Sequence, residues 1–276
     1  VQCNAGDTLK FAVLSKLIFG WNSLIVARNA STVSGYIKSK ATKKINEFLY
    51  SKTDAIISVS EYSKKDLIQL FPATKNKTTV IPIGVENQII HKVDWKEASK
   101  ASFNIIHVGG FTFEKNHKGL LNIWKLFLKE QPDARLHLFG DGPLRHEIEN
   151  LVALDGYQSS VIFYGWVANP LDYIAKADVL VLPSIIEGLP GVLLEAMYCK
   201  TVVVANNVGG ISEIVKPNET GFLAEKGNER EFASLLKKAI DLNTNHVANR
   251  AYYLVEEHFS NDYIAQQFEK TYLKIN

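Results

Sequence analysis

DVLVLPSIIEGLPGVLLEAMYCKTVVVAN, from Asp178 to Asn206, holds two short apolar runs separated by a turn rich in Gly and Pro and by a helical segment. Its apolar runs are nearly continuous in Val, Leu and Ala rather than alternating with polar residues. That is the signature of strands buried on both faces of a parallel sheet. The same kind of run recurs at SLIVAR (23–28), AIISVS (55–60), TTVIPIG (78–84), FNIIHVG (103–109), RLHLFG (135–140) and SVIFYG (160–165). The segments between have helical periodicity. HKGLLNIWKLFLKE (117–130) places Leu120, Leu121, Trp124, Phe127 and Leu128 on one stripe, and PLRHEIENLVAL (143–154) opens with Pro143 at a first helical position. Strand alternating with helix predicts doubly wound α/β architecture.

Residues 103–224 hold five or six such strands, enough for one complete Rossmann-like domain, whereas residues 1–84 hold three or four. The polar stretch 85–102 lies between them. The chain therefore divides into a partial N-terminal domain (1–86), a linker (87–102) and a complete domain (103–259), with a final helix at 260–276. The chain begins without Met, and the first domain reads as lacking its front half.

The composition, 46% hydrophobic and 22% charged over 276 residues, is that of a soluble globular protein. No apolar run reaches the roughly 18 residues a membrane span needs, and VQCNAGDTLK has neither the basic start nor the apolar core of a signal peptide. Cys3 and Cys199 are too far apart in sequence to suggest a metal spacing or a disulfide framework, so a cytoplasmic location is expected. Net charge is +7 over residues 1–100 and −5 over residues 101–276. Lys38, Lys40, Lys43 and Lys44 form the densest basic cluster. Such a cluster is either a solvated helix face or a surface that meets an anionic membrane or acceptor. Nucleic acid fits less well, because no interleaved aromatic stripe accompanies the lysines.

Ligands of open parallel sheets bind beyond the carboxyl ends of the strands. After residues 103–109 comes GGFTFEKNHKG: Gly109 and Gly110 permit a tight turn, and Lys115 and Lys118 lie at a helix start, where an anion is favoured. These could equally be two exposed lysines. GDGP (140–143) is a lone Gly-x-Gly and reads as a turn. GWVANP (165–170) allows a flat ligand, or simply a turn. In EGLPGVLLE (187–195), Pro190 can open a helix without losing a hydrogen bond. The N–H groups of Gly191, Val192 and Leu193 then make an anion site with the helix dipole. Glu187 precedes the turn, and Glu195 lies more than one turn into the helix. Either carboxylate can accept hydrogen bonds from vicinal hydroxyls; the plainer alternative is two surface acids. No His/Cys/Asp/Glu cluster has metal spacing, and neither a G-x-S-x-G elbow nor a Walker A loop occurs.

LPSIIEGLPGVLLEAMYCKTVVVANNVGGISEIV (182–215) resembles the signature of retaining GT-B glycosyltransferases of the group 1, family 4 type, whose hallmark is two glutamates with seven residues between, here Glu187 and Glu195. HVGGFTFEKNHKGLL, LFGDGP, FYGWV and NETGFL follow the order of that family. The resemblance runs from about Ser51 to the end and is strongest over 103–224. It implies a hexose moved from a nucleotide-diphosphate sugar to a glycan or lipid-linked acceptor, with no metal and no further cofactor. Lys115 would contact the diphosphate, Glu195 the ribose hydroxyls and Glu187 the sugar hydroxyls beside the bond that breaks. The backbone of Gly188, Leu189, Pro190, Gly191, Val192 and Leu193 would cradle sugar and phosphate. The base would lie near Trp166 and Val167, and the final helix would cross back to the first, acceptor-side domain. Three departures stand out. Gly110 occupies the position of a second diphosphate cation, usually Arg. PIGV (82–85) replaces PNGV. Asn29 stands where the family has a histidine near the sugar. The resemblance implies that a chain with a shortened front domain binds donor while transferring sugar poorly. This leaves a non-catalytic nucleotide-sugar-binding module as the alternative. A dinucleotide oxidoreductase would require a GxGxxG loop, which the sequence lacks.

Overall fold

The computed structural model describes residues 1–86, 90, 91, 93, 95, 98, 101–241 and 244–275. The expected linker, 87–102, therefore lies largely outside the described residues. Every sheet pairing is parallel. A first sheet contains β1 (Gln2–Cys3), β2 (Val26–Asn29), β3 (Ala55–Ser58) and β4 (Thr78–Val80) in that order, connected through α1 (Gly6–Phe19), α2 (Lys40–Ser51) and α3 (Glu61–Leu70).

A second sheet contains β5 (Asn104–Val108), β6 (Arg135–Phe139), β7 (Val161–Gly165), β8 (Val179–Leu182), β9 (Val202–Asn206) and β10 (Phe222–Ala224). Its spatial order is β10-β9-β8-β5-β6-β7. Its helices are α4 (His117–Leu128), α5 (Arg145–Leu154), α6 (Leu171–Ile174), α7 (Gly191–Tyr198), α8 (Ile211–Ile214) and α9 (Glu229–Asp241), followed by α10 (Asn245–His258) and α11 (Asn261–Ile275).

The continuous apolar runs are explained by two cores, one on each face of the second sheet. Successive strand residues point to opposite faces. Ile105, Leu136, Val179 and Val181 accordingly meet Leu120 and Trp124 of α4 and Phe232 and Leu236 of α9. Ile106, Leu180, Leu182 and Val203 meet Leu193 and Met197 of α7 and Ala251 and Val255 of α10. In the first sheet, Ala27 and Ile56 pack with Leu9, Val13, Leu49 and Leu67, while Val26, Ala55, Ile57 and Ile81 pack with Ile264 and Phe268 of α11. The last helix is thus seated on the first sheet.

The chain crosses between the halves at two adjacent places. Val85 N–H donates to Phe259 O at 2.7 Å, and Asn261 N–H donates to Val85 O at 3.0 Å. Pro143 is not the first helical residue that the sequence suggests. It lies outside α5, whose N-cap is Leu144, and Gly142 O accepts from Arg145 N–H to close the turn.

The strand order reverses between β5 and β8. From β5 the chain builds outward through β6 and β7, then returns to place β8 on the other flank of β5. Loops leaving the carboxyl ends of these two strands diverge and leave a crevice, the usual ligand position in such sheets.

Candidate functional site

Two loops meet at this crevice. The first leaves β5 through Gly109 and Gly110 and makes a single helical turn at Phe113–Lys115. It ends at Asn116, whose φ of 55° lies in the left-handed region that Asn tolerates. Asn116 is the N-cap of α4: its Oδ1 accepts from Gly119 N–H at 3.2 Å. Its Nδ2 donates to Pro183 O at 3.1 Å, which binds the loop to the one leaving β8. Ile185 N–H donates to Glu114 O at 2.8 Å. Asn206, at the end of β9, holds the same β8 loop from the other side through Pro183 O and Ser184 O.

The two loops bring Lys115 Nζ to 2.6 Å from Glu187 Oε1, 72 residues away in sequence. Glu187 is 9% exposed. The floor is His107, fully buried at the end of β5. Val181 O can only accept, so His107 Nδ1 carries the proton and donates to it at 2.9 Å. Burial, with Lys115 nearby, lowers the His107 pKa to about 4. His117, stacked on Phe111 with ring centroids 4.0 Å apart, is lowered too, again chiefly by burial. Both rings are neutral near pH 7, which leaves Lys115 the cation of the crevice.

Pro190 is the N-cap of α7, with Gly191 its first helical residue. Leu193 N–H donates to Pro190 O at 3.2 Å. The three outward N–H groups expected from the sequence therefore reduce to two, those of Gly191 and Val192. Leu189 and Leu193 are buried, so their side chains face the core and only their backbone borders the crevice. Glu195 lies further along α7, half-buried. Burial raises its carboxyl pKa, and among the described residues no donor or cation pairs with it. Trp166 and Val167 follow β7 on the far side of β5, the tryptophan 77% exposed. Lys118 does not join the site: it pairs instead with Glu147 at 2.6 Å, and both are exposed.

Residues of the first half close over this loop, and the sequence reading missed them. Thr32 Oγ1 donates to Glu187 O at 2.6 Å, and Ser60 Oγ donates to Gly188 O at 3.2 Å. Glu213 caps α3 across the gap, its carboxylate accepting from Glu61 N–H at 3.0 Å and Tyr62 N–H at 2.7 Å. At Gly188 the halves approach so closely that a Cβ would fall on Ala30 O, well inside the 3.0 Å that real Cβ atoms keep. Gly209, with φ of 58°, fits under Glu187 O on the same terms. The doubled glycine of NNVGG, directly after a buried strand, was the available signal for that contact. The caps and hydroxyl bonds carried none, because each joins residues more than 120 positions apart.

Two parallel α/β units facing one another across a loop-lined crevice define the GT-B glycosyltransferase fold. HepE of Anabaena, solved with UDP-glucose, superposes with a TM-score of 0.88 at 22% identity, covering 99% of this chain and 78% of HepE. Sucrose-phosphate synthase of Thermosynechococcus elongatus superposes at 0.84 and 22% identity, covering 99% and 73%.

Residues 90–253 match the family described as "Glycosyl transferases group 1", and the chain belongs to it. A relative from Campylobacter jejuni, N-acetylgalactosamine-N,N'-diacetylbacillosaminyl-diphospho-undecaprenol 4-alpha-N-acetylgalactosaminyltransferase, is 26% identical over 237 residues, covering 84% of this chain. The chain spans 64% of that relative's length. The N-acetyl-alpha-D-glucosaminyl L-malate synthase of Bacillus anthracis is 27% identical over 274 residues, covering 96% of this chain and 71% of the relative.

Proposed function

We propose that the protein transfers a hexose from a nucleoside-diphosphate sugar, with retention at the anomeric carbon, to a glycan or lipid-linked acceptor. The observation that carries this reading is the Lys115–Glu187 pair in the β5/β8 crevice, its glutamate on the loop that runs directly into the N-terminus of α7. An ammonium and a helix N-terminus suit a diphosphate, and a carboxylate beside them suits sugar hydroxyls.

In this reading Glu195, half-buried without a donor, accepts from the ribose hydroxyls, and the base lies along Trp166 and Val167. Residues 103–259 form the donor side and residues 1–86 part of the acceptor side. A bond forms between the acceptor oxygen and the anomeric carbon as the bond from that carbon to the β-phosphate oxygen breaks. The acceptor proton passes to the departing diphosphate. Lys115 and the α7 N-terminus offset the charge that grows there, the interaction that counts because it strengthens in the transition state. The chemistry assigned to these residues needs no metal. Relatives named for a lipid-linked diphosphate and for L-malate support widely different acceptors, and HepE, solved with UDP-glucose, supports a nucleoside-diphosphate sugar as donor.

Glu187→Gln tests the reading. Turnover or slow hydrolysis of a UDP- or GDP-sugar falls by roughly 10²-fold, the usual cost of one transition-state hydrogen-bonding group. UDP or GDP affinity, read by calorimetry, changes less than threefold or so. Equal losses of turnover and affinity would refute a sugar-facing Glu187. No turnover of either donor by the unaltered chain would favour the binding module.

A further inference from the structure

Beyond Glu187 the carboxyl-end loops continue in a direction the donor does not use. Across the second sheet they run from β7 (Val167) through β5 (Lys115) and β8 (Glu187) to β9 and β10. A donor with its base at β7 and its sugar at Glu187 leaves the last two loops free.

There the structure has a cavity of about 520 Å³, within the range of small-molecule sites. It is lined from the first half by Thr32, Ser34 and Tyr62, and from the second by Glu187, Ser212 and Lys226. The crevice residues assigned to the donor come from the second half alone, whereas this cavity needs both. Its chemistry is mixed in a particular way. Hydroxyls line it on both sides, Glu187 is its one carboxylate, and Lys226 is its one cation. Lys226 is exposed at the rim and, among the described residues, makes no ion pair. An unpaired ammonium at the mouth, with hydroxyls inside, suits a ligand bearing both an anionic group and hydroxyls.

We infer that this cavity is the acceptor subsite, and that it takes an acceptor carrying a phosphate or carboxylate, held by Lys226 while a hydroxyl is directed at the sugar beside Glu187. The assignment of the sugar to Glu187 rests on the proposed function; the anion site at Lys226 does not. The cavity also explains why the first half closes directly over this loop. Thr32 both borders the cavity and holds Glu187 O, so an acceptor seated there contacts the segment that fixes the glutamate.

The probe is sn-glycerol 3-phosphate, with glycerol as its uncharged counterpart and L-malate as the carboxylate form, each titrated calorimetrically with and without saturating UDP. One of the two anions binds and glycerol does not. Lys226→Gln weakens that binding about fivefold, the loss of one solvent-screened charge contact. Ser212→Trp, which fills the cavity from α8, abolishes it, and UDP affinity is unchanged in both variants.

Failure of both anions to bind, or equal binding to Lys226→Gln, overturns the inference. So does displacement of the anion by UDP, which would put it at Lys115 and α7. Failure of UDP to bind strikes the donor reading alone, since anion binding is measured in its absence too.

Discussion

Glu195→Gln separates a binding role from a structural one, because the two readouts move in opposite directions. Burial raises the Glu195 carboxyl above its ordinary 4.5, and no described partner offsets the cost of ionising it. Its folded pKa thus lies above its unfolded one. Across that window the folded state holds more protons than the unfolded, so stability falls as pH rises through it. Gln cannot ionise, so the variant should melt higher than the unaltered chain above the window and show no such slope. Donor binding behaves in reverse. Two ribose hydroxyls donating to the carboxylate favour its charged form, each a charge-assisted bond of about 1.5 kcal/mol. Gln keeps one acceptor oxygen but loses the charge and the other, so the substitution should cost about 1.5 kcal/mol, roughly tenfold in affinity. In the unaltered protein, affinity should fall as pH drops through the raised pKa. UDP-glucose is the ligand to titrate, because its diphosphate is esterified at both ends and lacks the monoester proton that leaves near pH 6. Calorimetry at several pH values, with melting curves at the same points, reads both effects. A variant that melts higher yet binds UDP-glucose as tightly as before would refute the ribose assignment.

Gly110→Arg should strengthen UDP binding by about fivefold, the worth of one partly screened ion contact. A Cβ there would meet only Asp141 O at 3.5 Å and Thr112 Cγ2 at 3.8 Å, so the backbone accepts a side chain without a clash at its first atom; unchanged calorimetric affinity would place the diphosphate elsewhere. Lys118→Gln should leave UDP affinity within about twofold, because its partner is Glu147 on the surface and such exposed pairs are worth at most about 1 kcal/mol. A tenfold loss would bring Lys118 into the site. Gly188→Ala should reduce turnover by roughly 10²-fold, since the methyl group collides with Ala30 O and displaces the Glu187 loop by about an ångström. Thermal unfolding should show a lower midpoint, and a variant as active as its parent would mean that the halves do not close as described.

The β5/β8 switch point was legible because buried parallel strands announce themselves as unbroken Val/Ile/Leu runs, and both loops leave their carboxyl ends. Seven of the ten strands lie wholly within such runs, and β2 overruns its own by one residue. β1 and β10, of two and three residues, are too short to show a period, as are the four-residue α6 and α8. Lys115 and Glu187 could each be suspected from their positions before a helix, but their contact across 72 residues is a product of strand order, which composition does not encode. Lys118 looked equivalent to Lys115 in sequence. The left-handed turn at Asn116 separates them, sending one toward Glu187 and the other toward Glu147. The cap that Glu213 provides for α3 was invisible for a further reason. An acid four residues before a Pro-Asn turn looks like any solvated helix residue until another helix N-terminus is brought to it.

That cap, with the bonds of Thr32 and Ser60, forms one margin of the cleft, and the paired crossings at Val85 and Phe259–Asn261 form another. The first is a latch and the second a hinge. Every bond named in the latch is polar, so water can take each partner as it parts, but Val59, beside Ser60, is buried in one cluster with Leu189, and parting the halves there exposes apolar surface as well. Four bonds at about 1 kcal/mol each set a restraint that thermal motion overcomes on the microsecond-to-millisecond scale of domain movement. Salt should loosen it, because the Glu213 carboxylate is held partly by the dipole of α3. Charge and solvent at the cleft margin would then act together with the burial of Val59 to set how often the halves part and so how quickly a bound molecule can leave.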